Sequence, residues 1–339
     1  MLTKARMIEL WANSRLIRWL ITTLVIIYLP ICLAVGWYWG QEPDVISVSP
    51  PSVANKEAQK TATGYITVNT LLTVADTLLH KPGGYLSNDV LPPGVWLDNM
   101  RNWEFGVLVQ VRDLARSLRQ DISRAQSQST ENKDLVIAEP QFNFDSESWM
   151  LPATENEYQK GIVALTRYRD ELADPVRSDA QFYARADNLA RWLETVESRL
   201  GSLSQRLSAS VGPVRFNTDL AGDANAKQST PKADQLLVQT PWLQIDDVFY
   251  ETRGTAWALI PLLKAIEIDF ADVLQKKNAS ASVKQIIREL EATQKPIWSP
   301  MILNGGEFGL MANHSLVMAA YIARANAGII NLRQLLSNG

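Results

Sequence analysis

The chain has 339 residues, with 33 Lys and Arg, 36 Asp and Glu, two His and a single Cys. Two histidines and one cysteine exclude zinc fingers, iron–sulfur sites and a disulfide framework, and a formal charge of −3 leaves no basic footprint for nucleic acid. A hydrophobic content of 46% is too high for a disordered chain.

The first element is the strongest. From Trp19 to Trp39 the chain runs 21 residues without a charge, and about 20 residues suffice for a helix to cross a bilayer core. Trp19 marks one end and Trp37, Tyr38 and Trp39 the other, as interfacial aromatics do. Pro30 is tolerated inside a spanning helix when the freed carbonyl finds a local partner. Lys4, Arg6, Arg15 and Arg18 precede the span, and Glu42 and Asp44 are the first charges after it. The positive-inside rule therefore predicts residues 1–18 in the cytoplasm, a transmembrane anchor over 19–39, and everything after Gly40 outside. A cleaved signal peptide needs a shorter apolar run and small residues at its end; bulky Trp and Tyr favour an uncleaved anchor. Pro30 and Ile31 before Cys32 do not suit lipoprotein processing, so Cys32 reads as an apolar residue in the lipid.

Taking the four basic and one acidic side chains of the N-terminus from the totals leaves 29 basic and 35 acidic beyond the span, a net −6. Such an ectodomain does not lie on an anionic membrane through charge alone. It contains no Cys, which suits a Gram-negative periplasm better than a disulfide-rich extracellular space.

Residues 40–56 read as a Pro/Ser-rich spacer. A first helical group is predicted over 57–211. One helix ends near His80, before Lys81-Pro82-Gly83-Gly84. After a Pro/Gly-rich loop, Asn102 is a candidate cap for a helix with Leu108, Val111, Ala115, Leu118 and Ile122 on one face. Ser127 to Asn132 reads as a loop or frayed end. Ala153 to Leu172 and Ser178 to Ala209 read as helices. In the second, Leu189, Leu193, Val196, Leu200, Leu203 and Leu207 follow coiled-coil spacing over about two and a half heptads, and an intramolecular hairpin is preferred to a dimer seam. Residues 212–241 lack periodicity and read as a long boundary loop with at most one short strand. The C-terminal helical group, 242–339, comprises Ile245 to Lys277, kinked at Pro261, Ala281 to Gln294, and a last helix from Glu307 to Leu336 with a face of small residues. The expected fold is all-α: a transmembrane helix followed by a multi-helix bundle in two groups.

Chemistry is sparse. No G-x-S-x-G elbow, phosphate-binding loop or H-E-x-x-H pair occurs, so neither cofactor nor metal is expected. Asp246, Asp247 and Glu251 open a helix, where the dipole already favours negative charge. Trp96, Trp149, Trp242 and Trp298 sit in or beside Pro-containing loops, and are expected to plug the ends of the bundle with their N–H groups on loop carbonyls. Trp103, Glu104, Phe105, Glu307 and Asn313 are the candidates for a functional surface, because aromatic and polar groups there flank two expected helix starts.

Two stretches, NMRNWEFGVLVQVRDLARSLR at 99–119 and SPMILNGGEFGLMANHSLVMAAYIARANAGIINLRQLL at 299–336, resemble domain-of-unknown-function family 2333. That resemblance implies a proteobacterial inner-membrane protein with one N-terminal anchor, and carries no catalytic residue with it. The expected function is non-catalytic: an envelope scaffold, adaptor or accessory subunit with a protein partner or self-association, held in the bilayer by 19–39, without nucleic acid. The alternatives are a cell-wall hydrolase or transglycosylase using Glu307, and a periplasmic sensor of a small ligand.

Overall fold

The computed structural model describes residues 4–48, 62–125, 129–174, 180–212, 214–216, 235–299, 301–306 and 309–338. Helix α1, Lys4–Trp39, runs unbroken through Pro30. Its stretch Ile17–Trp39 is long and apolar enough to cross a membrane, and only 11% of it is buried by the rest of the chain.

Nine further helices follow among the described residues. They are α2 (Tyr65–His80), α3 (Asp98–Ser117), α4 (Lys133–Phe142), α5 (Thr154–Ala173) and α6 (Ala186–Ser208). After them come α7 (Ile245–Asp269), α8 (Ala271–Lys276), α9 (Ser280–Ala292) and α10 (His314–Ser337). A small antiparallel pair, β1 (Val214–Phe216) and β2 (Gln235–Leu237), lies within the long loop between α6 and α7. The all-α reading holds, and one continuous core joins the two helical groups. Leu189, Leu193, Val196, Leu200, Leu203 and Leu207 of α6 are all buried in it, and α10 is the main partner of α6. The coiled-coil spacing is therefore satisfied within the chain.

Pairwise contacts give the helix directions. Helices α3 and α7 run parallel, since Asn102 meets Asp247 and Gly106 meets Glu251 and Thr255. Helices α6 and α10 run antiparallel, with Ser204 at Ala319 and Glu194 at Arg333. So do α9 and α10, where Arg324 pairs with Glu289 and Gly328 abuts Ile286, and α4 and α5, where Lys133 pairs with Glu171 and Phe142 abuts Gly161. The N-terminal turn of α2 meets the C-terminus of α7 through Thr67 and Asp269. In consequence α2, α4, α6 and α9 end, and α3, α5, α7 and α10 begin, at the same end of the bundle. The C-terminal end of α1 lies there too, since Trp39 sits against Gly83, and Gly36 against Pro93.

Several local expectations are corrected. Helix α3 starts at Asp98, so Asn102 is not its cap; its amide instead donates to the Asp98 carbonyl and to Asp247. Helix α4 carries no long apolar stripe and was missed; the Asn132 side chain caps it by accepting from the Asp134 and Leu135 N–H groups. Residues 180–185 are extended rather than helical. The single stretch expected from Ile245 to Lys277 is divided at Phe270: α7 continues through Pro261 to Asp269, and α8 begins at Ala271. Helix α10 starts at His314, not Glu307, because the Asn313 side chain accepts from Leu316 N–H and fixes the start there. Glu307 itself lies outside the described residues.

Candidate functional site

The four described sequence candidates, Trp103, Glu104, Phe105 and Asn313, do not converge, and Glu307 lies outside the described residues. Trp103 is fully buried and packs on Trp257 with ring centroids 4.9 Å apart. Trp103 and Glu104 fall on the buried face of α3 in phase with Val107, Leu108, Val111 and Leu114. Glu104 is buried against Lys81 at 2.6 Å. It also accepts from Leu86 N–H (2.9 Å), Ser87 N–H (2.8 Å) and the Ser87 hydroxyl (2.5 Å). Burial raises its pKa, and Lys81 and these donors work against that rise. The cluster pins the start of the 81–97 loop, a structural task. Phe105 is partly exposed on α3. Asn313 caps α10 and donates to the Gly305 carbonyl at 2.7 Å.

A different place draws chemistry together: the junction between α1 and the bundle. Residues 41–48, expected as the start of a spacer, form neither helix nor strand and dock on α7. Arg253 is buried and donates from Nη2 and Nε to the Glu42 carboxylate at 2.5 and 2.8 Å. Its Nη1 donates to the Thr293 and Lys295 carbonyls. One guanidinium thus ties the segment after α1, α7 and the end of α9 together. One turn further along α7, the Trp257 indole N–H donates to the Pro43 carbonyl at 2.9 Å and the Asp44 carbonyl at 3.2 Å. Trp39, Val45 and Ile46 pack against the core. Sequence reading missed this set because Glu42 and Arg253 are 211 positions apart, and neither sits in a motif.

Beside the junction is an open cleft of about 890 Å³, lined by Cys32 and Gly36 of α1, by Pro93 and Leu97, and by Arg253 and Ile297. A second, more apolar cavity of about 360 Å³ shares Arg253 and Ile297 and continues to Phe249, Trp298, Met318 and Tyr321. Among the described residues no group of three or more His, Cys, Asp or Glu is placed to hold a metal ion. His314 is engaged in the loop, where its Nδ1 accepts from Leu303 N–H at 3.1 Å.

The loop tryptophans do not plug the bundle. Trp96, Trp149, Trp242 and Trp298 are 51%, 57%, 76% and 93% exposed, whereas the helix tryptophans Trp103, Trp192 and Trp257 are buried. They lie in the loops that join helices, and the described residues leave them exposed.

A family model described as an uncharacterized protein conserved in bacteria (DUF2333) matches residues 12–339. Neither a curated protein nor a solved structure matches the chain.

Proposed function

The chain belongs to that bacterial family, and we propose that it is a single-span inner-membrane protein whose helical ectodomain works in the periplasm by non-covalent contact, as a scaffold, adaptor or accessory subunit. One observation carries this reading: the anchor and the ectodomain are locked together. Trp39 packs against the core, and Glu42 is clamped by Arg253. A cleavable leader has no reason to pack into the domain it leaves, and a passive tether has no reason to be held by a buried ion pair. The basic residues before the span and the acidic ones after it support the outward orientation of the bundle.

The test is in situ crosslinking of the full-length protein in membranes, followed by affinity capture, with a reporter fused to the C-terminus. Specific envelope partners or self-crosslinks, with a reporter active only outside the cytoplasm, are the expected outcome. Clean capture of a monomer, or a reporter active in the cytosol, overturns the reading. The apolar cavity at Phe249, Ile297 and Met318 favours a second reading, a sensor of a small apolar ligand, for which a ligand-dependent rise in melting temperature is the check.

A further inference from the structure

We propose that the loops at the anchored end of the bundle are inserted into the outer leaflet of the same bilayer that α1 crosses, so that the ectodomain is seated in the membrane rather than hung from it. This rests on the anchored reading above and adds a lipid-binding surface to it.

The loop between α2 and α3 runs down along the outer third of α1. The Cβ of Pro93 and the side chain of Leu97 lie against Gly36, and Leu97 also reaches Gly40. This glycine pair, four residues apart, offers the close approach that small residues give in spanning helices, and here a loop of the same chain occupies it. Lower still, Cys32 is buried at the cleft, and the Tyr28 hydroxyl donates to the Pro92 carbonyl at 3.4 Å. Gly36 and Cys32 lie three and seven residues below Trp39, roughly 4.5 and 10 Å deeper at about 1.5 Å per residue. Half of a hydrocarbon core is about 15 Å. The loop therefore reaches depths at which α1 itself is surrounded by acyl chains. Its outward flank carries Val90 and Leu91, with Leu91 73% exposed. Whatever surrounds α1 at that level surrounds Leu91 as well.

The rest of this end has the same character. Trp149, Trp242, Trp298 and Leu310 are exposed on the other three loops that open there. The opposite end differs: among the described residues of the turns between α3 and α4, α5 and α6, and α7 and α9, no large hydrophobic side chain is exposed. One end of the bundle is wet and polar, and the other presents aromatic and aliphatic tips of the type that settle at a headgroup boundary. The net −6 of the ectodomain means that charge does not draw it to an anionic surface, so apolar insertion is what holds it there.

The full-length Cys32→Ala protein, in liposomes of phosphatidylethanolamine and phosphatidylglycerol, would carry one nitroxide-labelled cysteine at a time: Leu91→Cys, Leu310→Cys, Leu33→Cys within the span, or Lys276→Cys at the far end. Leu91, Leu310, Leu33 and Lys276 are all exposed, so labelling does not disturb the core. Collision with oxygen against a nickel chelate reports depth. Leu91 and Leu310 are expected to favour oxygen, as Leu33 does, while Lys276 favours nickel. If Leu33 reports lipid but Leu91 and Leu310 report water, the insertion is wrong and the anchor stands. If the labels at 91 and 310 are shielded from both reagents, a protein covers this end and the insertion is again wrong. If Leu33 also reports water, the anchored reading fails, and the insertion with it.

Discussion

The α3–α7 crossing gives the sharpest test of the architecture. Gly106 and Gly254 face each other's helices where the backbones meet. A Cβ at Gly254 would lie 2.0 Å from the Trp103 carbonyl oxygen, and one at Gly106 would lie 2.1 Å from the Glu251 oxygen. Ordinary contact begins near 3.4 Å, so Gly254→Ala must part the helices by roughly 1.4 Å, and the obstacle is backbone rather than the movable end of a side chain. Overpacking of this kind costs about 3 kcal/mol, the upper part of its usual range. The substitution also gains about 1 kcal/mol of helix propensity. The net loss of about 2 kcal/mol corresponds to a fall of roughly 4–8 °C in Tm. Gly201→Ala on α6 is the control, because its Cβ would meet only the Asn326 amide, at 3.5 Å. It should keep the propensity gain of up to about 1 kcal/mol and raise Tm. Thermal melts of the detergent-solubilised chain by near-ultraviolet dichroism, which reads the Trp103–Trp257 pair directly, compare the two. If Gly254→Ala melts as high as Gly201→Ala, the close crossing and the packing derived from it are refuted.

Other outcomes follow from the same geometry. Glu42→Gln leaves the buried Arg253 without its counter-charge and should cost about 3 kcal/mol; limited proteolysis just after the anchor should then become rapid, while unchanged cleavage would argue that the clamp is idle. Lys81→Met leaves the Glu104 carboxylate buried without its counter-charge, a loss of about 3–5 kcal/mol, whereas Lys81→Met with Glu104→Gln, which removes the charge and keeps an acceptor for Leu86 and Ser87, should recover part of it; denaturant titration of both variants decides. Asp269 accepts from the Thr67 N–H and hydroxyl at 2.7 and 2.6 Å, but burial raises its pKa above the usual 3.8. Folding therefore favours its protonated form: the resulting stability is complete below the unfolded value and fades as pH rises through the higher folded one. The Tm of Asp269→Asn should thus improve relative to the parent as pH rises from about 4 to 7, and a Tm that falls relative to the parent over that range would show that the hydrogen bonds outweigh the burial.

The span, the sign of its flanks and the helical class were all legible in the amino acids, because each depends on local composition and period. Trp19 to Trp39 needs no partner to be recognised as apolar, and the leucine and valine spacing of α6 declares a buried stripe whatever covers it. Three-dimensional packing decided which surface covered which. The α6 stripe closes on α10 instead of a second copy. Trp103 and Glu104 are buried because α7 and the 81–97 loop cover that face of α3. Glu42 and Arg253 become partners across 211 positions, a pairing that depends on the whole bundle placing the start of α7 beside the end of α1. The exposure of the loop tryptophans was beyond sequence for the same reason: a tryptophan next to a proline carries no information about whether the space beyond its turn is filled. That depends on how many helices end there and how far each extends, which is a property of the assembled bundle and not of any segment within it.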